Sequence, residues 1–213
     1  MTLIELLIAI ILLSVISLGF TSMSLFTNFQ TITSDRRAKL QNTASLILEH
    51  MSKNIAHAIG NEMINGKDMV VNTAPIGADE AVRVFIDVPD ATNPTPFTPN
   101  GTRDASDHWI AYRRDVSLLQ FCPECTDSTC VTCTPAWGTT DVNNLSNNIN
   151  VTTFTVTKPT KEVLNATDLR LSDNYIEVLI ACRWDPDPTK AAAIDNPEIN
   201  MRNRIKMPSV SVN

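Results

Sequence analysis

The sequence predicts an α+β chain: one long amino-terminal helix followed by an antiparallel β-sheet domain. Three observations carry this. The first twenty residues, MTLIELLIAIILLSVISLGF, are almost wholly apolar and hold one charge, Glu5. From Phe26 onward apolar residues recur mostly three and four apart, and no proline occurs before Pro75. Beyond residue 61 the apolar runs become short and β-branched, with turn residues between them.

The 213 residues give room for that helix and one domain of ordinary size. Apolar content is 43% and charged content 19%, which is not a disordered composition. A net charge of −6 argues against a nucleic-acid partner, because phosphate binding needs a surplus of Lys and Arg. No internal repeat is present.

The helix is expected to run 55–60 residues, about 85 Å at 1.5 Å per residue. Residues 1–25 form its membrane-length half. Leu6 to Leu13 is unbroken apolar sequence, and no Lys or Arg precedes Arg36. The basic start and small-residue cleavage site of a secretory signal are missing. Residues 26–60 form an amphipathic half. Its stripe is Phe26, Phe29, Ile32, Leu40, Ala44, Ile47, Leu48, Met51, Ile55, Ala58 and Ile59, expected to lie on a sheet. Asp35, Arg36, Arg37, Lys39, Glu49 and Lys53 supply the polar face, and Gly60 is the expected stop.

Glu5 is the anomaly. A carboxylate in hydrocarbon costs about 2.5–3.5 kcal/mol on insertion scales, and residues that carry such a cost usually have a partner. No basic side chain is near in sequence. The nearest cation is an amino-terminal ammonium, its own or, more easily in steric terms, that of a neighbouring copy. The partial positive charge of a helix amino terminus also favours an acid there. Glu5 therefore reads as half of an ion pair between packed identical helices, which a lone anchor would not need.

Residues 61–213 are expected to form the β-rich domain. MVVNTA (69–74), AVRVFIDV (81–88), NINVTTFTVTK (148–158), YIEVLIACRW (175–184) and NRIKMPSVSV (203–212) read as strands. HWIAYRRDVSLLQFC (108–122) reads as two strands about Arg114-Asp115. The mostly apolar 175–184 run is expected to be central in its sheet. Pro208 marks the last strand as an edge. ATNPTPFTPNGTRDASD is a loop.

MTLIELLIAIILLSV resembles the mature amino terminus of type IV pilins and type II secretion pseudopilins, with Thr2, Leu3, Ile4 and Glu5 in register ahead of the apolar run. The resemblance implies that Met1 is a processed, N-methylated residue left when a prepilin peptidase removes a short basic leader. Met1, Thr2 and Glu5 are then the assembly residues. It implies storage in the inner membrane, then assembly by pilus machinery into an extracellular homo-oligomeric filament. Ser22 stands where many bacterial pilins have proline. The order WIAYRRD, NINVTTFTV, YIEVLIACR, RNRIKMPSV is more loosely similar to the larger minor pilins, the W-type of type IV pili and the J-type of type II secretion.

Four of the five cysteines lie in CPECTDSTCVTC: Cys122, Cys125, Cys130 and Cys133. Between the first and last the chief apolar residue is Val131, so the segment needs covalent or metal ties. Zinc ribbons separate their CxxC pairs by about 15–20 residues, unlike the four residues here. Neither pair is followed by His, so haem attachment is out. A domain outside the cytoplasm makes disulfides the favoured reading, with no cofactor expected, and four thiolates wrapped round one metal ion the alternative. Four cysteines allow three connectivities. The nested one, Cys122–Cys133 with Cys125–Cys130, suits a hairpin-like loop. Cys182 is left as a buried free thiol.

Asp185, Asp187, Asp195 and Glu198 read as a solvated acidic loop, with hard-cation binding the sharper alternative. Sequons begin at Asn100, Asn144, Asn150 and Asn165. His50 and His57 suit helix packing. No nucleophile–base pair, phosphate loop or HExxH is present, so no enzyme is expected. The functional expectation is a structural subunit of a type IV pilus-like filament. The alternatives are a low-copy minor subunit that initiates or tips a pilus or secretion pseudopilus, and a monomeric membrane-anchored binding domain.

Overall fold

The computed structural model describes residues 2–57, 71–72, 74–77, 80–86, 107–125, 127–137, 144–146, 149–157 and 175–206. Helix α1 spans Leu3–Ile55 without a break, 53 residues. The expected stop at Gly60, and Ala58 and Ile59 of the stripe, lie outside the described residues, as do Met1 and Pro208. The helix passes straight through Ser22. The hydroxyls of Thr21 and Ser22 donate to the carbonyl of Leu18 one turn back, which satisfies them without loosening the turn.

The strands are β1 (Val71–Asn72), β2 (Glu80–Ile86), β3 (His108–Asp115), β4 (Leu118–Cys125), β5 (Cys133–Thr134), β6 (Asn150–Thr157), β7 (Tyr175–Arg183) and β8 (Glu198–Lys206). They form two antiparallel sheets, β1-β2-β3-β4-β5 and β6-β7-β8. β7 is central in the second sheet and β8 is an edge. The hairpin of the first sheet turns later than Arg114-Asp115. Asp115 pairs with Leu118, so Val116 and Ser117 form the two-residue turn. A bulge inserts an extra residue into β4 where Trp109 faces Cys125 and Ala111 faces Cys122. Pro123, which has no N–H for a ladder, falls within it.

The sheets are joined at β6. The Val151 amide donates to Ser117 O at 2.8 Å, the Phe154 amide to Glu80 Oε2 at 3.4 Å, and Arg114 Nη1 to Thr152 O at 3.0 Å. Arg114 also pairs with Glu80 at 3.1 Å. These bonds occupy backbone groups of β6 that β7 leaves unpaired.

The core lies between α1 and both sheets. Leu40, Ala44, Ile47, Leu48, Met51 and Ile55 are buried against Val82, Val84, Tyr112, Phe154, Ile176, Val178 and Ile180. The first buried helix residue is Thr33. Phe26, Phe29 and Ile32 belong to the same periodic stripe, yet they are exposed, because the β domain does not extend that far along the helix. Hydrogen bonds pin the packed half in place. Thr33 Oγ1 donates to Ile194 O at 3.2 Å, Asn203 Nδ2 to Ser52 Oγ at 2.9 Å, and Asn54 Nδ2 to Tyr112 Oη at 3.0 Å.

Candidate functional site

The apolar half of α1 is the most distinctive surface in the chain. Every side chain from Leu3 to Ile32 is exposed, from 84% at Leu3 to 50% at Ile32. A monomeric soluble domain rarely shows so large a contiguous apolar area. The hydroxyls of Ser14, Thr21, Ser22, Thr27 and Thr31 are turned inward on the backbone. Ser14 Oγ donates to Ile11 O at 2.7 Å, Thr27 Oγ1 to Met23 O at 2.9 Å and Thr31 Oγ1 to Thr27 O at 2.9 Å. This lets polar residues sit on a helix in an apolar medium without orphaned donors. By length and composition the helix is able to cross a membrane.

Thr2 and Glu5 meet at the start of this helix. The Thr2 amide donates to Glu5 Oε2 at 2.8 Å, and the Glu5 amide donates to Thr2 Oγ1 at 3.4 Å. This reciprocal pair is a capping box, which satisfies two amides that the first turn would otherwise leave open. Glu5 therefore has a partner within its own chain. A lone anchor does have a use for Glu5, contrary to the expectation from the sequence, because capping serves a single helix as well as a packed one. The signal was in the sequence, because Thr2-Leu3-Ile4-Glu5 is the T-x-x-E pattern of a capping box.

Where the helix leaves the β domain, the segment after β7 wraps it. The Arg36 guanidinium donates to Asp195 O, and Arg36 and Lys39 lie 5.8 and 5.9 Å from the centre of the Trp184 ring. The acidic residues here make internal bonds. Lys190 Nζ contacts Asp185 Oδ2 at 2.6 Å, Asp187 Oδ1 accepts from the Thr189 amide at 2.9 Å, and Glu198 pairs with Arg183 at 2.6 Å. The hydrogen bond from Lys190 holds the Asp185 carboxyl below the usual carboxylate range.

The cysteine loop forms a second, separate unit. Cys122 is bonded to Cys133 and Cys125 to Cys130. Val131 is 65% exposed, and the four cysteines themselves are buried, with Ile76, Ala81 and Ala111. Asp127 ties the tip: its Oδ1 accepts from the Thr129 amide at 2.7 Å and the Cys130 amide at 3.1 Å. The Thr129 hydrogen bonds hold its carboxyl below the ordinary range. Trp137 Nε1 donates to Cys130 O at 3.2 Å.

Arg83 is the residue of this unit that the sequence did not reveal. It is 6% exposed, its Nη1 donates to Ser128 O at 3.1 Å and Thr129 O at 3.0 Å, and its Nη2 donates to Ala74 O at 3.2 Å. Burial pulls its pKa down from the ordinary value, and Asp127 opposes that. No local pattern in AVRVFIDV marks it, since two of its three partners, Ser128 and Thr129, lie 45 and 46 residues away.

Cys182 is free and buried, its thiol pushed up to about 12 by burial and then by Glu198. It is thus held in the unreactive protonated form. Among the sequons, Asn150 is buried in β6, and Asn100 and Asn165 lie outside the described residues. In the oxidised chain, no group of three or more His, Cys, Asp or Glu side chains among the described residues is placed to hold a metal ion.

No protein-family model, curated protein or solved structure matches this chain. What stands is its architecture: one long apolar amino-terminal helix followed by a β domain, compatible with a membrane-anchored, pilin-like protein.

Proposed function

We propose that this chain is a non-enzymatic subunit of a type IV pilus-like filament, held first in the inner membrane and then assembled helix against helix, with the β domain outermost. The observation that carries this is the length of the exposed apolar surface. Thirty residues, Leu3 to Ile32, cover about 45 Å, whereas bilayer hydrocarbon covers about 30 Å, or twenty residues. Met23, Leu25, Phe26, Phe29 and Ile32 occupy the excess and are all exposed. A bundle of neighbouring copies would cover the whole length, and the same burial would offset the cost of leaving lipid. A prepilin peptidase and a pilus assembly machine are the partners that this reading requires.

One observation favours a second reading, a monomeric anchored domain: the Glu5 carboxylate is satisfied by the Thr2 amide of the same chain. Two substitutions separate them. Gln is accepted in a capping box, so Glu5→Gln keeps the cap and removes the charge. Glu5→Ala removes both. The measurement is the amount of this chain in filaments sheared from cells that make only the variant. If Glu5 pairs with a neighbour's ammonium, both variants insert in the membrane and both fail to enter filaments. Filament yield restored by Gln assigns Glu5 to capping alone. Absence of the wild-type chain from every sheared filament would overturn the filament reading. Its abundance there separates a bulk subunit from a low-copy initiating or tip subunit.

A further inference from the structure

The cysteine loop has a feature that two disulfides do not use. Arg83 faces Ala111 across the β2–β3 ladder, and Ala111 faces Cys122 across β3–β4. Opposed residues share a face of the sheet, so the side chains of Arg83 and Cys122 leave the sheet from one row, with Ala111 between them. Arg83 is buried, and its Nε has no hydrogen-bond partner among the described residues. A buried, unpaired donor on a cation is costly unless an anion completes it. Asp127 is at the tip, and its Oδ1 is engaged by backbone amides. The two bridges are also stacked: Cys125 Sγ lies 3.7 Å from Cys122 Sγ. A tetrahedral ion with four sulfur ligands at about 2.3 Å sets its sulfurs about 3.8 Å apart.

From these observations we propose that the same four cysteines, in the reduced chain, form a four-thiolate site for a thiophilic divalent cation of the zinc class, with Arg83 as its charge-balancing neighbour. The chemistry balances. Two disulfides take up four electrons and four protons from two equivalents of a dithiol reductant, which leave as two disulfides, and give four thiols. Binding one divalent cation then releases four protons and leaves a tetrathiolate complex of charge −2. Within each bridge the sulfurs need only side-chain rotation to separate, since the paired Cα atoms are 5.7 and 4.9 Å apart. The complex is anionic and buried, and the Arg83 guanidinium, whose Nε has no hydrogen-bond partner among the described residues, offsets one of its two negative charges. The loop would thus be tied by metal before oxidation and by disulfides after it. The close spacing of the two CxxC pairs, unlike that of a zinc ribbon, is met by wrapping one short loop round one ion.

The test uses the full chain in detergent micelles, with Co²⁺ as a spectroscopic probe and Zn²⁺ as competitor. The chain reduced with a phosphine should bind one Co²⁺ with the intense visible bands of a tetrahedral thiolate site. One equivalent of Zn²⁺ should displace it, and the oxidised chain should bind none. Arg83→Met should weaken binding by at least ten-fold, and Arg83→Lys by less. Cys122→Ser/Cys133→Ser should abolish the tetrahedral signal. No uptake by the reduced chain, an octahedral spectrum, or a tetrahedral signal that survives the double substitution would overturn the proposal. Equal affinity in Arg83→Met would remove Arg83 from it.

Discussion

His50 stands on α1 with its ring edge-on to Phe121, 4.7 Å between centroids, and with Nδ1 3.1 Å from Tyr112 Oη. The Asn54 amide donates to the same hydroxyl, so the three side chains form one polar cluster at the helix–sheet contact. Burial, and then the charge of Lys53, draw the pKa of His50 below 6.5. A folded-state value below the unfolded one means that protonation favours the unfolded chain. Stability from this group is complete above about pH 6.5 and is lost as the pH falls from there through the lowered folded-state value. The denaturant midpoint should therefore drop as the pH is lowered below about 6.5, and His50→Gln should flatten that drop. An unchanged slope in the variant would assign the dependence elsewhere. Val116 is a second informative residue. Its φ is +53, in a region that costs a side chain with a Cβ roughly 1–2 kcal/mol. Glycine removes that cost and adds about 0.5–1 kcal/mol of unfolded-state entropy. Val116→Gly should thus raise stability by about 0.5–1 kcal/mol, read as a shift in urea midpoint at constant slope.

Among the elements, α1 has two halves with different energetics. Met51 is fully buried in the core and Phe29 is 61% exposed. Met51→Ala should cost about 2–5 kcal/mol of β-domain stability, and Phe29→Ala close to nothing. Equal effects would mean that the packed segment is misplaced. The cysteine loop is tied locally. Its bridges close 11 and 5 residues, so each gives less than the roughly 3 kcal/mol of a 15-residue loop. Cys125→Ser/Cys130→Ser should expose residues 127–132 to protease while the unfolding of the sheets stays cooperative. These elements differ in how far local sequence reveals them. Period and composition were enough for the long helix, for β7 as a central strand and for a loop of paired cysteines. They were not enough to end the packed stripe at Thr33, because Phe26, Phe29 and Ile32, three apart, keep to helical spacing just as Leu40 and Ala44, four apart, do. The turn at Val116-Ser117 escaped because valine has no turn preference. The joining of the two sheets depends on bonds between β6 and Ser117, Glu80 and Arg114, which no local pattern encodes. Arg83 was hidden for the same reason.

For the whole molecule, the absence of any buried residue among the described residues before Thr33 separates what folds the protein from what places it. A chain beginning at Thr33 should be monomeric without detergent in sedimentation experiments and should keep the urea midpoint of the full chain. A midpoint lowered by more than about 1 kcal/mol equivalent would show that the apolar half contributes to the domain.

The packed half has a mechanical consequence. Leu40, Ala44 and Leu48 form one row along the helix, and Ile47, Met51 and Ile55 another, each stepping by four residues. Draw the helix one turn, about 5.4 Å, towards its amino terminus. Leu48 must then enter the slot cut for Ala44, and Ala44 leaves most of the Leu40 slot empty. Overpacking costs about 1–3 kcal/mol and a cavity about 2–5, and the Thr33, Ser52 and Asn54 hydrogen bonds break in the same step. The helix cannot ratchet along the sheets. A pull applied at Leu3 reaches β7 and β8 undiminished, so spindle and domain travel as one piece.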